Sequence, residues 1–184
     1  MFHESRNFTI ANSTIAFNFD GIYARNSSNF QISNNDVYGN TRSGIDIRAG
    51  SNNFMVSNNH VHDNAYEGII CTECRGVQIT GNNIEHNKEA GIKLFSKTVS
   101  TTVSGNTVSY NEKFGIYLRN NSTGNSVINN AVTGSEEGVS LTGSSTNNTI
   151  ADNNLAGNDV AIEFDPASQT NVVRNNRPNA TQIG

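Results

Sequence analysis

The chain contains no tryptophan, and only two prolines and two cysteines among its 184 residues. Two cysteines, Cys71 and Cys74, cannot staple a small secreted scaffold. Hydrophobic residues make up 34% and the mean hydropathy is −0.50, too little for the core of an ordinary globular domain of this length. No apolar run approaches the length of a membrane span, so membrane insertion is not expected. The net charge is −4 and no run of Lys or Arg occurs, which argues against nucleic acid as a partner. The opening Met1-Phe-His-Glu-Ser5 lacks a cationic, apolar leader, as expected if a leader has been removed or the chain is a fragment.

Asparagine is what the chain has in abundance, and its spacing is regular. One series runs Asn12, Asn35, Asn59, Asn82, Asn106, Asn130, Asn153 and Asn176, in steps of 23 or 24 residues. A Gly-aliphatic pair keeps the same step at Gly21-Ile22, Gly44-Ile45, Gly68-Ile69, Gly91-Ile92, Gly115-Ile116 and Gly138-Val139, with Ala161-Ile162 completing the series. A fixed period of this size is the mark of a solenoid.

Within each repeat the apolar residues alternate, as in Ile92/Leu94 and Ile116/Leu118, which is strand spacing rather than helical spacing. Asn and Gly at fixed offsets supply the left-handed backbone that tight turns between short strands require. The spacing therefore predicts an all-β, right-handed parallel β-helix of about seven to eight coils, forming a single domain over 1–184, with the best-formed coils over 26–120. Stacked coils place like residues about 4.8 Å apart, so the inward Asn should form a hydrogen-bonded ladder. Aliphatic ladders headed by Ile32 and Val37 should fill the remaining bore. The Ser-, Thr- and Gly-rich turns after Asn121 are expected to face solvent. Neither end carries a recognisable cap, which suggests either flanking coils in a longer chain or end-to-end self-stacking.

If the residues one and three after each Gly point inward, those two and four after it point outward on one sheet. Down the stack these are Tyr23/Arg25, Asp46/Arg48, Ile70/Thr72, Lys93/Phe95, Tyr117/Arg119 and Ser140/Thr142. The stripe gathers cations and aromatic rings on an acidic chain. Rings that stack on sugars beside Arg and Lys that pair with carboxylates suit an acidic polysaccharide. Tyr23, Arg25, Phe95 and Arg119 are the expected binding residues. His60, His62 and Asp63 with Cys71 and Cys74 could be imagined as a metal site. However, Cys71 takes an inward position held elsewhere by Leu94 and Leu118, so no metal and no cofactor are expected.

The segments Asn34-Asn-x-Val-x-x-Asn40, Gly44-Ile-Asp-Ile-Arg48 and Asn58-Asn-His-Val-His-Asp-Asn64 resemble β-helix repeats of the carbohydrate-binding and sugar-hydrolase type. Within that type they are most similar to the mannuronan C5-epimerases. The resemblance implies a surface or secreted protein, extracellular or at the cell surface, that contacts an alginate-like polymer. That family carries Tyr-Gly-(Ile/Phe)-Asp-Pro-His on one coil; here Gly44, Ile45 and Asp46 match, while Ser43, Ile47 and Arg48 replace its Tyr, Pro and His. The usual catalytic His is therefore lacking. Should the chain be an active epimerase or polyuronate lyase, Asp46, Arg48, Lys93 and Tyr117 are the candidate catalytic residues. A non-catalytic stacking module is the remaining alternative.

Overall fold

The computed structural model describes residues 1–178 and the backbone of 182–183; the domain expected over 1–184 otherwise lies outside the described residues. Among the described residues there is no helix, and the strands form three parallel sheets of nine, eight and six strands, here the long, middle and short sheets. The long sheet runs through Phe2–His3, Ile22–Arg25, Ile45–Arg48, Ile69–Thr72, Ala90–Phe95, Phe114–Arg119, Glu137–Thr142, Val160–Phe164 and Gln182–Ile183. Successive coils contribute strands to the three sheets in turn, so each internal strand pairs with strands one coil before and one coil after it. The architecture is the right-handed parallel β-helix that the period predicts.

The aliphatic ladders fall in register as expected. Ile10, Ile32, Val56, Ile79, Val103, Val127, Ile150 and Val173 pair in succession across the middle sheet. Val37, Val61, Ile84, Val108 and Val132 do so across the short sheet. All but the terminal rungs are buried, so a narrow bore replaces the thick core that the composition could not fill.

The Asn ladder shows how buried amides are afforded in that bore. Asn82 Nδ2 donates to Asn106 Oδ1 at 2.9 Å and to the Val56 carbonyl at 3.0 Å, while the Asn82 backbone N–H also donates to Asn106 Oδ1 at 2.9 Å. Each amide thus ties its own coil to both neighbours, which satisfies polar groups that would otherwise be costly to bury. The ladder begins one residue later than expected. Ser13, not Asn12, donates to Asn35 Oδ1, and Asn12 is the preceding turn residue with φ 52°. A second ladder, Asn40, Asn64, Asn87 and Asn111, follows the same rule.

The turns after Asn121 face solvent only in part: Asn121, Gly124, Ser144 and Asn147 are exposed, as expected, but the residues between them are not all so. Ser122, Asn125, Ser145 and Asn148 are buried, and they continue a ladder at the corner between the long and middle sheets. In the first coils the corner position equivalent to Asn125 is aromatic: Phe8, Phe30 and Phe54 stack at 4.7 and 4.4 Å. One corner therefore changes along the stack from a ring column to an amide column, since both repeat well at one rung spacing.

Candidate functional site

Alternation on the long sheet buries Ile45 and Ile47 in the bore and turns Asp46 and Arg48 outward. The register places Tyr23, Asp46, Ile70, Lys93, Tyr117 and Ser140 in one outward column. Arg25 pairs with Arg48 in the adjacent column, which continues through Thr72, Phe95, Arg119 and Thr142. The stripe read from the sequence thus exists as two columns on one sheet, one rung about every 4.8 Å.

Outward is not the same as exposed. Asp46 is fully buried because two guanidinium groups close over it. Arg48 Nε donates to both Asp46 oxygens at 2.9 Å, and Arg42 Nη2 pairs with Asp46 Oδ2 from the opposite side. Arg42 also lies 3.3 Å from Asp20 Oδ1 through Nε, with its guanidinium over the Phe19 ring. Burial pushes the Asp46 carboxyl up to about 7 against the pull of Arg42, with the Asp20 and Glu67 charges adding to the rise. Burial raises Asp20 as well, opposed by Arg42.

Farther along the stack, Lys93 Nζ donates to Glu67 Oε1 at 2.7 Å, and Ser43 Oγ donates to Glu67 Oε2 at 3.0 Å. Lys93 Nζ also lies 5.6 Å from the Phe95 ring centre and 5.8 Å from that of Tyr117. The Tyr117 hydroxyl shares a 2.9 Å hydrogen bond with Thr142 Oγ1, and its ring stacks on Phe114 at 4.1 Å. The structure therefore joins Asp46 to Arg48 and brings Lys93 beside Tyr117, with the Ile70/Thr72 rung between the two groups. Asp46 and Tyr117 are three rungs apart, about 14 Å, so the four candidate catalytic residues do not converge on one sugar.

Of the expected binding residues, Tyr23 lies beneath the Arg48 guanidinium at 6.0 Å and Phe95 beside Lys93. Arg25 and Arg119 are exposed, with no carboxylate at ion-pair distance among the described residues. Two recesses flank Tyr23. One, of about 320 Å³, is lined by Met1, Phe19, Asp20, Tyr23 and Arg42. The other, of about 280 Å³, is lined by Tyr23, Arg25, Arg48, Ala49, Thr72 and Glu73. Larger recesses, such as one of about 560 Å³ beside His86 and Tyr110, lie away from the stripe.

The outward-column rule missed Asp20, Arg42 and Glu67, which sit just before the glycines of the long sheet. A signal for them exists in the sequence. The residue before each Gly reads Asp20, Ser43, Glu67, Ala90, Phe114 and Glu137, so acidic side chains recur there. The cysteines are placed as the frame predicts: Cys71 pairs with Leu94 inside the bore, and Cys74 is buried at the corner with its thiol pushed well above the usual range by burial. They do not meet His60 and His62, which lie on the short sheet.

Comparison with known proteins agrees with this geometry. Residues 1–155 match the family model described as a right handed beta helix region. Among curated proteins none matches by sequence. Similar solved structures include the periplasmic alginate epimerase AlgG, at a TM-score of 0.87 and 20% identity, covering 98% of this chain and 46% of that one. They also include the Azotobacter vinelandii mannuronan C-5 epimerase AlgE4 A-module, at a TM-score of 0.84 and 17% identity, covering 93% of this chain and 51% of that one. The Agl-KA catalytic domain follows at a TM-score of 0.70 and 15% identity, covering 93% and 40%. At these identities the likeness is one of fold, and the chain spans about half the length of the two epimerase structures. With the family model matched over residues 1–155 and the coils in register, the chain belongs to the right-handed β-helix family.

Proposed function

We propose that the outward face of the long sheet binds an acidic polysaccharide of the polyuronate class. The observation that carries this reading is the registered double column of Arg25, Arg48, Lys93 and Arg119 with Tyr23, Phe95 and Tyr117. A polymer laid along the stack meets a new rung about every 4.8 Å, so repeated carboxylates would find repeated cations and repeated rings. Arg25 and Arg119 are the exposed cations at the two ends of this stretch. The alginate and mannuronan epimerases among the solved structures support the choice of a uronate polymer. A partner of this class suits a protein at the cell surface or in the extracellular space.

A second reading is catalytic: the Asp46 carboxyl at about 7 can change protonation at neutral pH, and it meets a sugar only when the Arg42 and Arg48 guanidiniums that cover it turn onto the sugar carboxylate. In an epimerase, one group removes the C5 proton and another returns a proton to the opposite face, while Arg48 holds the sugar carboxylate. In a lyase, Lys93, once it has passed a proton to Glu67, takes the C5 proton as the bond from C4 to its glycosidic oxygen breaks, leaving a C4–C5 double bond. That departing oxygen takes a proton, for which Tyr117 beside Lys93 is the candidate donor.

One experiment separates the readings: proton NMR of polymannuronate with the protein in deuterated water. Broadened polymer signals without deuterium at C5 are the expected result for a binder. Deuterium at C5, new guluronate or unsaturated signals would move the function to catalysis, and unperturbed polymer signals would defeat both readings.

A further inference from the structure

The short sheet carries a second cluster, independent of the polysaccharide stripe. Strands Asp36–Tyr38, His60–His62 and Asn83–Glu85 pair so that Asp36 stands beside His60, and Tyr38, His62 and Glu85 form the next outward column. Alternation around buried Val37, Val61 and Ile84 turns all of these side chains out of the bore.

Asp36 Oδ1 lies 3.3 Å from His60 Nδ1 and 3.2 Å from His62 Nε2, so one carboxylate oxygen faces both imidazoles. The far nitrogens are held as well. His60 Nε2 lies 2.8 Å from Glu85 Oε1, and His62 Nδ1 lies 2.7 Å from Asp63 Oδ2. The two rings stack at 4.1 Å, and Tyr38 stacks on His62 at 5.0 Å, which restrains both orientations.

Proton counting shows what this arrangement lacks. Four ring nitrogens face carboxylate oxygens, but two neutral imidazoles carry one N–H each. With those protons on the hydrogen bonds to Glu85 and Asp63, the inner nitrogens aim bare lone pairs at the Asp36 oxygen. Either a further proton on each inner nitrogen or a metal cation among the three inner atoms removes that repulsion. We infer that Asp36, His60 and His62 form a binding site for a divalent transition metal of the Zn²⁺ class, with Glu85 and Asp63 orienting the two histidines.

The dimensions fit. Ligands about 2.0–2.1 Å from a tetrahedral Zn²⁺ are separated by about 3.3 Å, close to the two measured separations from Asp36. The three ligand atoms all lie within 4.8 Å of one another, so a small closing movement completes the set. Two imidazoles and one carboxylate select Zn²⁺ and its late first-row neighbours over Ca²⁺ and Mg²⁺, which prefer oxygen ligands. Carboxylates on the outer nitrogens fix ring orientation in the manner common to such centres. The fourth position opens to solvent, since all three residues are only partly covered. The absence of a metal expected from the sequence rested on pairing these histidines with the cysteines, and the structure supplies Asp36 in their place.

Isothermal titration of the untagged, metal-stripped chain with Zn²⁺ at pH 7.5 tests the site. One equivalent should bind with a micromolar or tighter Kd, and Ca²⁺ should give no saturable heat. His62→Ala and Asp36→Asn should each weaken Zn²⁺ binding at least tenfold, while His86→Ala, one residue beyond Glu85, should leave it unchanged. Circular dichroism spectra matching the parent confirm that the variants are folded. The Co²⁺-loaded parent should show the visible absorption of a low-coordinate N/O site, a readout that needs no variant. Absence of saturable Zn²⁺ binding, or binding unchanged in the His60→Ala/His62→Ala chain, would overturn the inference and leave a proton-sharing cluster.

Discussion

Lys93 and Glu67 are joined by a 2.7 Å ion pair across adjacent coils, on the face that otherwise presents cations and aromatic rings. Both partners are largely covered, and Glu67 is held from its other oxygen by Ser43. The pair therefore occupies a cation that an anionic polymer would use.

Glu67→Gln should consequently strengthen polyuronate binding by roughly threefold to tenfold, because it removes a negative charge and releases Lys93. Titration with mannuronate oligomers at low and moderate salt measures the change, and the gain should shrink as salt rises. A loss of affinity would mean that Glu67 positions Lys93 rather than competes for it.

Stability should fall as pH rises from about 4 to about 7. The folded Asp46 carboxyl titrates at about 7 against 3.8 for the free group, so the folded chain binds more protons than the unfolded chain between those values. This contribution is full below the lower value and lost on passing the higher one. Asp20 and Glu137, both raised chiefly by burial, act in the same direction. Urea unfolding should show the chain more stable at pH 5 than at pH 8 by on the order of 1 kcal/mol, and Asp46→Asn should flatten that difference.

Asn82 and Asn83 are adjacent yet should differ sharply in their response to truncation. Asn82→Ala removes an acceptor for the Asn59 backbone N–H at 3.0 Å and a donor to Val56 and Asn106 inside the bore. The expected loss is about 3 kcal/mol, whereas exposed Asn83→Ala should stay within about 0.5 kcal/mol. Equal midpoints in denaturant for the two variants would contradict a structural role for the ladder.

Gly91 has no room for a methyl group. A Cβ there would lie 2.5 Å from Val108 Cγ1 and 2.9 Å from the Gly115 carbonyl oxygen, where the long sheet begins its strand. Gly91→Ala should destabilise by about 1–3 kcal/mol through overpacking, read as a lower denaturation midpoint. An unchanged midpoint would mean that successive coils can spread at the glycine ladder without cost.

The fold was legible because its instructions are local and repeated. Ile79, Asn82, Ile84 and Gly91 recur at one period, and a single alternation rule assigns each to the bore or the surface. The first coil misled by one residue because Ser13 holds the ladder place that Asn holds in later coils, while the Asn beside it, Asn12, is the turn residue, and both types suit either place. The later turns misled because Ser and Asn are common in solvated loops, and only stacking shows that Ser122 and Asn148 find their partners inside.

The sequence by itself determined the coil period, the inward ladders and the membership of the outward columns, since these follow from strand alternation applied to a repeat. Tertiary structure decided what no single coil contains. Arg42 reaches back to Asp20 of the previous coil, Lys93 commits its charge to Glu67 of the previous coil, and Asp36 meets His60 and His62 across neighbouring strands. These contacts depend on side-chain reach between coils a few ångströms apart in space but more than twenty residues apart in the chain. The repeat specifies that separation, while the individual side chains decide which charges are buried, paired or left facing solvent.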